Sequence, residues 1–82
     1  MKILNIDNIH TWHPYNSLPS KSRILAVSRT YDQTIILEDG TELTDAMSSW
    51  WSAIHGYNHP TLINALEKQA NIMPHIMFGG LT

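Results

Sequence analysis

The stretch TIILEDGTELTD, residues 34–45, carries the clearest local structural signal in the chain. Asp39-Gly40 lies between Ile35, Ile36 and Leu37 on one side and Leu43 on the other. Asp-Gly readily takes the positive backbone angles that a two-residue hairpin turn requires, so two antiparallel strands are expected to meet there. Just upstream, RILAVSR (residues 23–29) is short and apolar in its middle, and Tyr31, Asp32 and Gln33 supply a polar break suited to a tight connection. Residues 23–45 are therefore predicted to form a three-stranded antiparallel meander.

On the N-terminal side, residues 1–22 contain Pro14, Pro19 and a cluster of Asn and Ser, with no sustained period of two or 3.6, and read as an extended arm. On the other side, residues 46–59 carry Trp50, Trp51, Tyr57, Gly56, His55 and His59 without a clean period and read as a loop with one helical turn. A helix is expected to start near Pro60, with Asn58 or His59 as its cap, because proline is tolerated in a first turn whose N–H would be unpaired anyway. Ile63, Leu66, Ala70 and Met73 recur at helical spacing as one apolar stripe, Asn64, Lys68 and Asn71 face water, and Pro74 ends the element. The last residues, HIMFGGLT, join Ile76, Met77 and Phe78 to the flexible pair Gly79-Gly80 and lead into no terminating structure, the mark of a truncated chain. The expected organisation is one incomplete α+β domain: arm 1–22, strands 23–45, then loop, helix and truncated end 46–82.

Composition narrows the classes of function. A chain of 82 residues can build one modest core at most, and it has no cysteine to staple it. Five Lys/Arg against seven Asp/Glu leave a net charge of −2 without a basic stripe, which argues against nucleic acid as a partner. The opening MKILNIDNIH breaks its apolar run at Asn5 and Asp7, too early for a signal peptide, and no run approaches a membrane span. A cytoplasmic protein is expected.

Three features could carry chemistry. Trp12, Tyr15, Trp50, Trp51 and Tyr57 all fall in loop or arm, where rigid aromatic faces often line pockets. Composition alone favours the plainer reading, that they fill a core beneath a long loop. Trp50 and Trp51, being adjacent, are not expected to point the same way. His10 and His13, and His55 and His59, are spaced so that helical segments could bring each pair to a metal. Pro14, Gly56 and Pro60 interrupt those segments, and no cysteine or acidic ligand is interleaved, so structural or surface histidines are the better reading. A Schiff-base lysine needs a buried site that lowers its pKa. Lys2 is terminal, Lys21 lies in a polar loop and Lys68 sits on the wet face of the helix, so none qualifies.

Four strings taken in order add a resemblance: WHPY (residues 12–15), the Asp39-Gly40 turn, MSSWWSAIHGYNHP (residues 47–60) and HIMFGGLT (residues 75–82). From His10 onward the chain resembles the N-terminal segment of the class III aminotransferases that depend on pyridoxal 5'-phosphate (PLP) and make 7,8-diaminononanoate for biotin. The resemblance implies PLP-dependent transferase fold type I, and a homodimer that transfers the amino group of S-adenosylmethionine to 8-amino-7-oxononanoate. It further implies that Tyr15 recognises 8-amino-7-oxononanoate and stacks on the adenine of the donor, while Trp50 forms part of the substrate-pocket wall. Ala46 stands where the family usually has glycine, and alanine would strain the turn if that position needed a positive backbone angle. The family's lysine, the aspartate on the pyridine nitrogen and the phosphate-binding donors all lie beyond the positions matched here. This chain alone is thus expected to hold no catalytic, cofactor-binding or metal residue, to bind no PLP and to be inactive. Two other readings stay open: an interaction module, such as half of a split enzyme, and a small histidine metal protein.

Overall fold

Thr34, Ile35 and Ile36 are β-branched and followed by Leu37, residue types that pack well on a pleated surface, and they form the central strand of the only sheet among the described residues. The computed structural model describes residues 2–82. Strand β1 (Val27–Tyr31) and strand β3 (Glu42–Thr44) flank β2 (Thr34–Leu37), and both pairings are antiparallel. Tyr31 pairs with Thr34, which leaves Asp32 and Gln33 as a two-residue connection with Asp32 at φ 48°. The first strand begins at Val27 and not at Arg23. The ladder is interrupted between Val27 and Arg29, where the Ser28 hydroxyl donates to the Ile36 carbonyl at 3.1 Å.

The Asp39-Gly40 hairpin forms, but not with a two-residue turn. The Gly40 N–H donates to the Leu37 carbonyl at 3.0 Å and the Leu37 N–H to the Thr41 carbonyl at 2.9 Å, so the loop holds Glu38, Asp39 and Gly40. Gly40 alone takes a positive φ, 88°, the pattern of a tight turn closed by a glycine bulge. The Asp39 carboxylate accepts the Thr41 N–H at 2.9 Å, and that hydrogen bond holds its pKa below the ordinary value.

The expectation of an extended arm over residues 1–22 is corrected at its start, where Lys2–His10 form helix α1. Ile3, Ile6 and Ile9 recur at three-residue spacing within it, a helical signal that Asn5, Asp7 and Asn8 dilute. The Thr11 N–H still donates to the Asp7 carbonyl, and the chain then folds back so that His13 Nε2 lies 2.8 and 2.9 Å from the two Asp7 carboxylate oxygens. Because a carboxylate only accepts, this contact assigns the ring proton to Nε2.

Helix α2 (Pro60–Ile72) starts as anticipated, and its cap is His59: the imidazole Nδ1 accepts the Thr61 N–H at 3.3 Å, with proline in the first turn. Met73, immediately before Pro74, is extended at φ −164°, as proline demands of the residue before it. The apolar stripe, however, is not buried, for every residue of α2 is exposed. Among the described residues Ile36 is the sole buried hydrophobic side chain, at 7% exposure. The radius of gyration is 16.5 Å, where a compact chain of this length would have about 12 Å. The sheet supplies a rigid local frame, and the two helices project from it with their apolar faces open.

Candidate functional site

The aromatic loop is built as a closed ring on the sheet. At its start, the Asp45 N–H donates to the Gln33 carbonyl at 2.8 Å, which extends the β2–β3 ladder by one rung. At its end, Tyr57 and Asp32 exchange both backbone hydrogen bonds, at 3.1 and 2.6 Å, and form an isolated antiparallel bridge. The Thr30 hydroxyl adds a bond to the Asn58 side chain at 2.9 Å. Gly56 is required at this junction on two counts. Its φ is +81°, and a Cβ would lie 3.2 Å from the Asp32 carbonyl oxygen.

Between those anchors, four consecutive non-glycine residues are left-handed: Ser48 at φ 50°, Ser49 at 47°, Trp50 at 54° and Trp51 at 76°. Left-handed backbone costs L-residues roughly 1–2 kcal/mol each, so such a turn does not hold itself. What holds it is Asp45. One carboxylate oxygen accepts the Met47 N–H at 2.8 Å and the other accepts the Ser49 N–H at 2.8 Å. The Tyr57 hydroxyl donates to that second oxygen and is itself in hydrogen-bond contact with the Ser49 hydroxyl. Within the turn, the Trp51 N–H reaches the Met47 carbonyl at 3.2 Å and the Ala53 N–H the Ser48 carbonyl at 2.9 Å. The Tyr57 hydrogen bond, and then the two backbone N–H groups, lower the Asp45 pKa; the same bond to Asp45 raises that of Tyr57. Ala46 is not among the left-handed residues, so alanine in place of the family's glycine imposes no strain of the kind considered above.

The turn presents an open groove of about 650 Å³ whose lining includes Tyr15, Met47, Ser48, Trp50, Trp51 and Ile54. Tyr15 and Trp50, 35 positions apart in sequence, meet here with ring centroids 5.5 Å apart and planes tilted by 51°. Tyr15 is 91% and Trp51 84% exposed, so the aromatic faces are open and do not fill a core. Trp50 and Trp51 both line the groove. Trp12 stands apart, its indole N–H donating to the Asn16 carbonyl at 2.7 Å. A groove of this shape offers flat, polarisable walls to a planar or aliphatic ligand and few charged contacts.

The other candidate groups do not join it. His55 and His59 pack edge to face at 6.3 Å, His13 is engaged by Asp7, and among the described residues no three His, Cys, Asp or Glu side chains converge as metal ligands. Lys2, Lys21 and Lys68 are exposed and none lines the groove, so the residues present do not form a site that fits PLP. Sequence reasoning missed Asp45, Ser49 and the hydroxyl of Tyr57. The available signal was an Asx residue two and four positions before backbone N–H groups that a non-glycine turn leaves without partners.

Comparison with known proteins gives this geometry a context. The chain is 51% identical over 79 residues to adenosylmethionine-8-amino-7-oxononanoate aminotransferase of Buchnera aphidicola subsp. Baizongia pistaciae, covering 96% of this chain and 18% of the relative. It is 41% identical over 85 residues to the protein of the same name from Saccharomyces cerevisiae, covering 99% of this chain and 18% of that one. The crystal structure of adenosylmethionine-8-amino-7-oxononanoate aminotransferase from Methanocaldococcus jannaschii superposes on the whole chain with a TM-score of 0.78 at 27% identity, over 20% of its own length. The chain therefore spans less than a fifth of the length of the curated relatives it matches, at 18%. A family model described as Aminotransferase class-III matches residues 16–82, from just after the groove's Tyr15 to the last residue, and the chain belongs to the class III aminotransferase family.

Proposed function

We propose that this chain is the substrate-facing N-terminal part of a PLP-dependent aminotransferase that moves the amino group of S-adenosylmethionine to 8-amino-7-oxononanoate, giving 7,8-diaminononanoate in biotin synthesis. The observation that carries this reading is the meeting of Tyr15 and Trp50 in one open aromatic groove. A ping-pong enzyme must admit an adenine-bearing donor and then an aliphatic acceptor through the same pocket, and aromatic walls suit both. Tyr15 offers a ring face for the adenine and a hydroxyl for the acceptor, while Trp50 closes one wall. The names of the relatives support the choice of substrates.

PLP supplies the electron sink of any such transamination, and the groups that hold it lie outside this chain. The exposed faces of α1 and α2 are then the surfaces that the remainder of the class III fold covers, in a cytoplasmic homodimer. If that remainder is a separate chain, the same open faces suit a split enzyme. The test is steady-state kinetics on the complete protein that carries this chain. Tyr15→Ala and Trp50→Ala are each expected to raise KM for S-adenosylmethionine about tenfold or more, the size of one lost aromatic stacking contact. Unchanged KM for both substrates in both variants would remove the groove from the substrate path.

A further inference from the structure

The groove depends on a turn whose residues do not favour it. Ser48, Ser49, Trp50 and Trp51 include no glycine or asparagine, the residues that enter left-handed backbone readily. Besides the backbone bonds within the turn, the side-chain support comes from one half-buried residue, Asp45, at the foot of the loop. Its two oxygens accept from the N–H groups of Met47 and Ser49, so the carboxylate spans the entry into the turn. Tyr57, at the other foot of the loop, donates its hydroxyl to the same oxygen that takes the Ser49 N–H. The two stems are thereby closed across each other at the foot of the turn.

We propose that Asp45 is the positioning residue of the substrate groove: seconded by Tyr57, it fixes the left-handed Ser48–Trp51 turn and thereby sets the ring of Trp50 against Tyr15. Asp45 does not line the aromatic groove itself. It faces the neighbouring recess of about 330 Å³ with Asp32, His55 and Tyr57, so its influence on a ligand runs through the backbone of the turn. An amide cannot replace it. Asparagine at this position would retain one acceptor for the Met47 N–H but would turn an NH2 group toward the Ser49 N–H, donor facing donor, and oblige the Tyr57 hydroxyl to accept where it now donates.

This inference rests on the reading of Trp50 as a pocket wall, and the experiment separates the two. In the complete protein, Asp45→Asn is expected to raise KM for S-adenosylmethionine about tenfold with kcat changed far less, the signature of lost ground-state positioning. Tyr57→Phe, which removes one of three donors, is expected to act in the same direction and less. A double-mutant cycle decides the route: in a Trp50→Ala background, Asp45→Asn should add less than about twofold, because the residue it positions is gone. Full additivity, or an unchanged KM in Asp45→Asn where Trp50→Ala raises it, overturns the proposal.

A second readout does not depend on the substrate. With Trp12→Phe and Trp51→Phe leaving Trp50 as the single indole of residues 1–82, Asp45→Asn should abolish most of the Trp50 near-ultraviolet circular dichroism, and Tyr57→Phe part of it. A retained Trp50 signal overturns the positioning role. If Trp50→Ala leaves both KM values unchanged while the Trp50 signal collapses in Asp45→Asn, the pocket reading fails and the positioning of Trp50 stands.

Discussion

At the residue scale, the loop junction concentrates what a single substitution can disturb. Gly56→Ala introduces a Cβ at φ +81° within 3.2 Å of the Asp32 carbonyl oxygen, and both partners there are backbone. It is expected to cost the complete protein about 1–3 kcal/mol, read as a lower denaturant midpoint at constant slope. The Asp45–Tyr57 pair gives a pH signature whose sign follows from the two shifts. Asp45 titrates below its ordinary 3.8 when folded, so its contribution is present above that value and lost as pH falls through the lowered pKa. Tyr57 titrates above its ordinary 10.0, so its contribution is present below that value and lost as pH rises through the raised pKa. The Trp50 dichroism in the variant that keeps this indole alone among residues 1–82 should therefore be flat across neutral pH and fall only at the two extremes. A midpoint near neutrality would contradict the assignment of the turn's support to the Asp45–Tyr57 pair.

The residue scale is also where the sequence is least legible. Asp39-Gly40 announces its turn because glycine there takes a positive φ, and only the loop length differs from expectation. Ser48–Trp51 gives no such announcement. Its conformation is imposed by side-chain acceptors outside the turn, and no local propensity points to it. The pairing of Tyr15 with Trp50 follows from no period or spacing in the chain either; the resemblance implied roles for both, and the structure brings them together.

At the scale of elements, strands β2 and β3 and helix α2 are readable because each carries its own local cause: β-branched residues beside a turn, and a capped proline start with a proline stop. Helix α1 is harder to read, since at nine residues it is shorter than the length at which isolated helices persist, and polar residues interrupt its isoleucines. The start of β1 is blurred for a different reason, because residues 24–26 continue the apolar run outside the strand, and of them the Ala26 carbonyl still accepts the Glu38 N–H across the hairpin. Helix α2 forms a well-defined stripe that nothing among the described residues covers. Leu66, 66% exposed here, tests whether something else covers it. Leu66→Ala should destabilise the complete protein by about 2–4 kcal/mol, as for a buried leucine. A change within about 0.5 kcal/mol, as for an exposed site, would leave the stripe a solvent face.

For the whole molecule, the sheet is too small to be a core, and the extended shape follows from that. The one buried hydrophobic side chain among the described residues cannot offset the ordering of two helices, a hairpin and a strained loop, so the architecture makes physical sense as part of a larger fold. Membership of the class III aminotransferase family supplies that fold, and the groove gives this portion its place in the proposed reaction. The division of labour is the central claim: this chain shapes the substrate site, and the cofactor chemistry resides elsewhere. The direct measurement is amino transfer from S-adenosylmethionine to 8-amino-7-oxononanoate with added PLP, on residues 1–82 alone and on the complete protein in parallel. The complete protein should form 7,8-diaminononanoate and carry a visible PLP band, whereas residues 1–82 should do neither. Product formation with a stable PLP band from residues 1–82 alone would contradict the account.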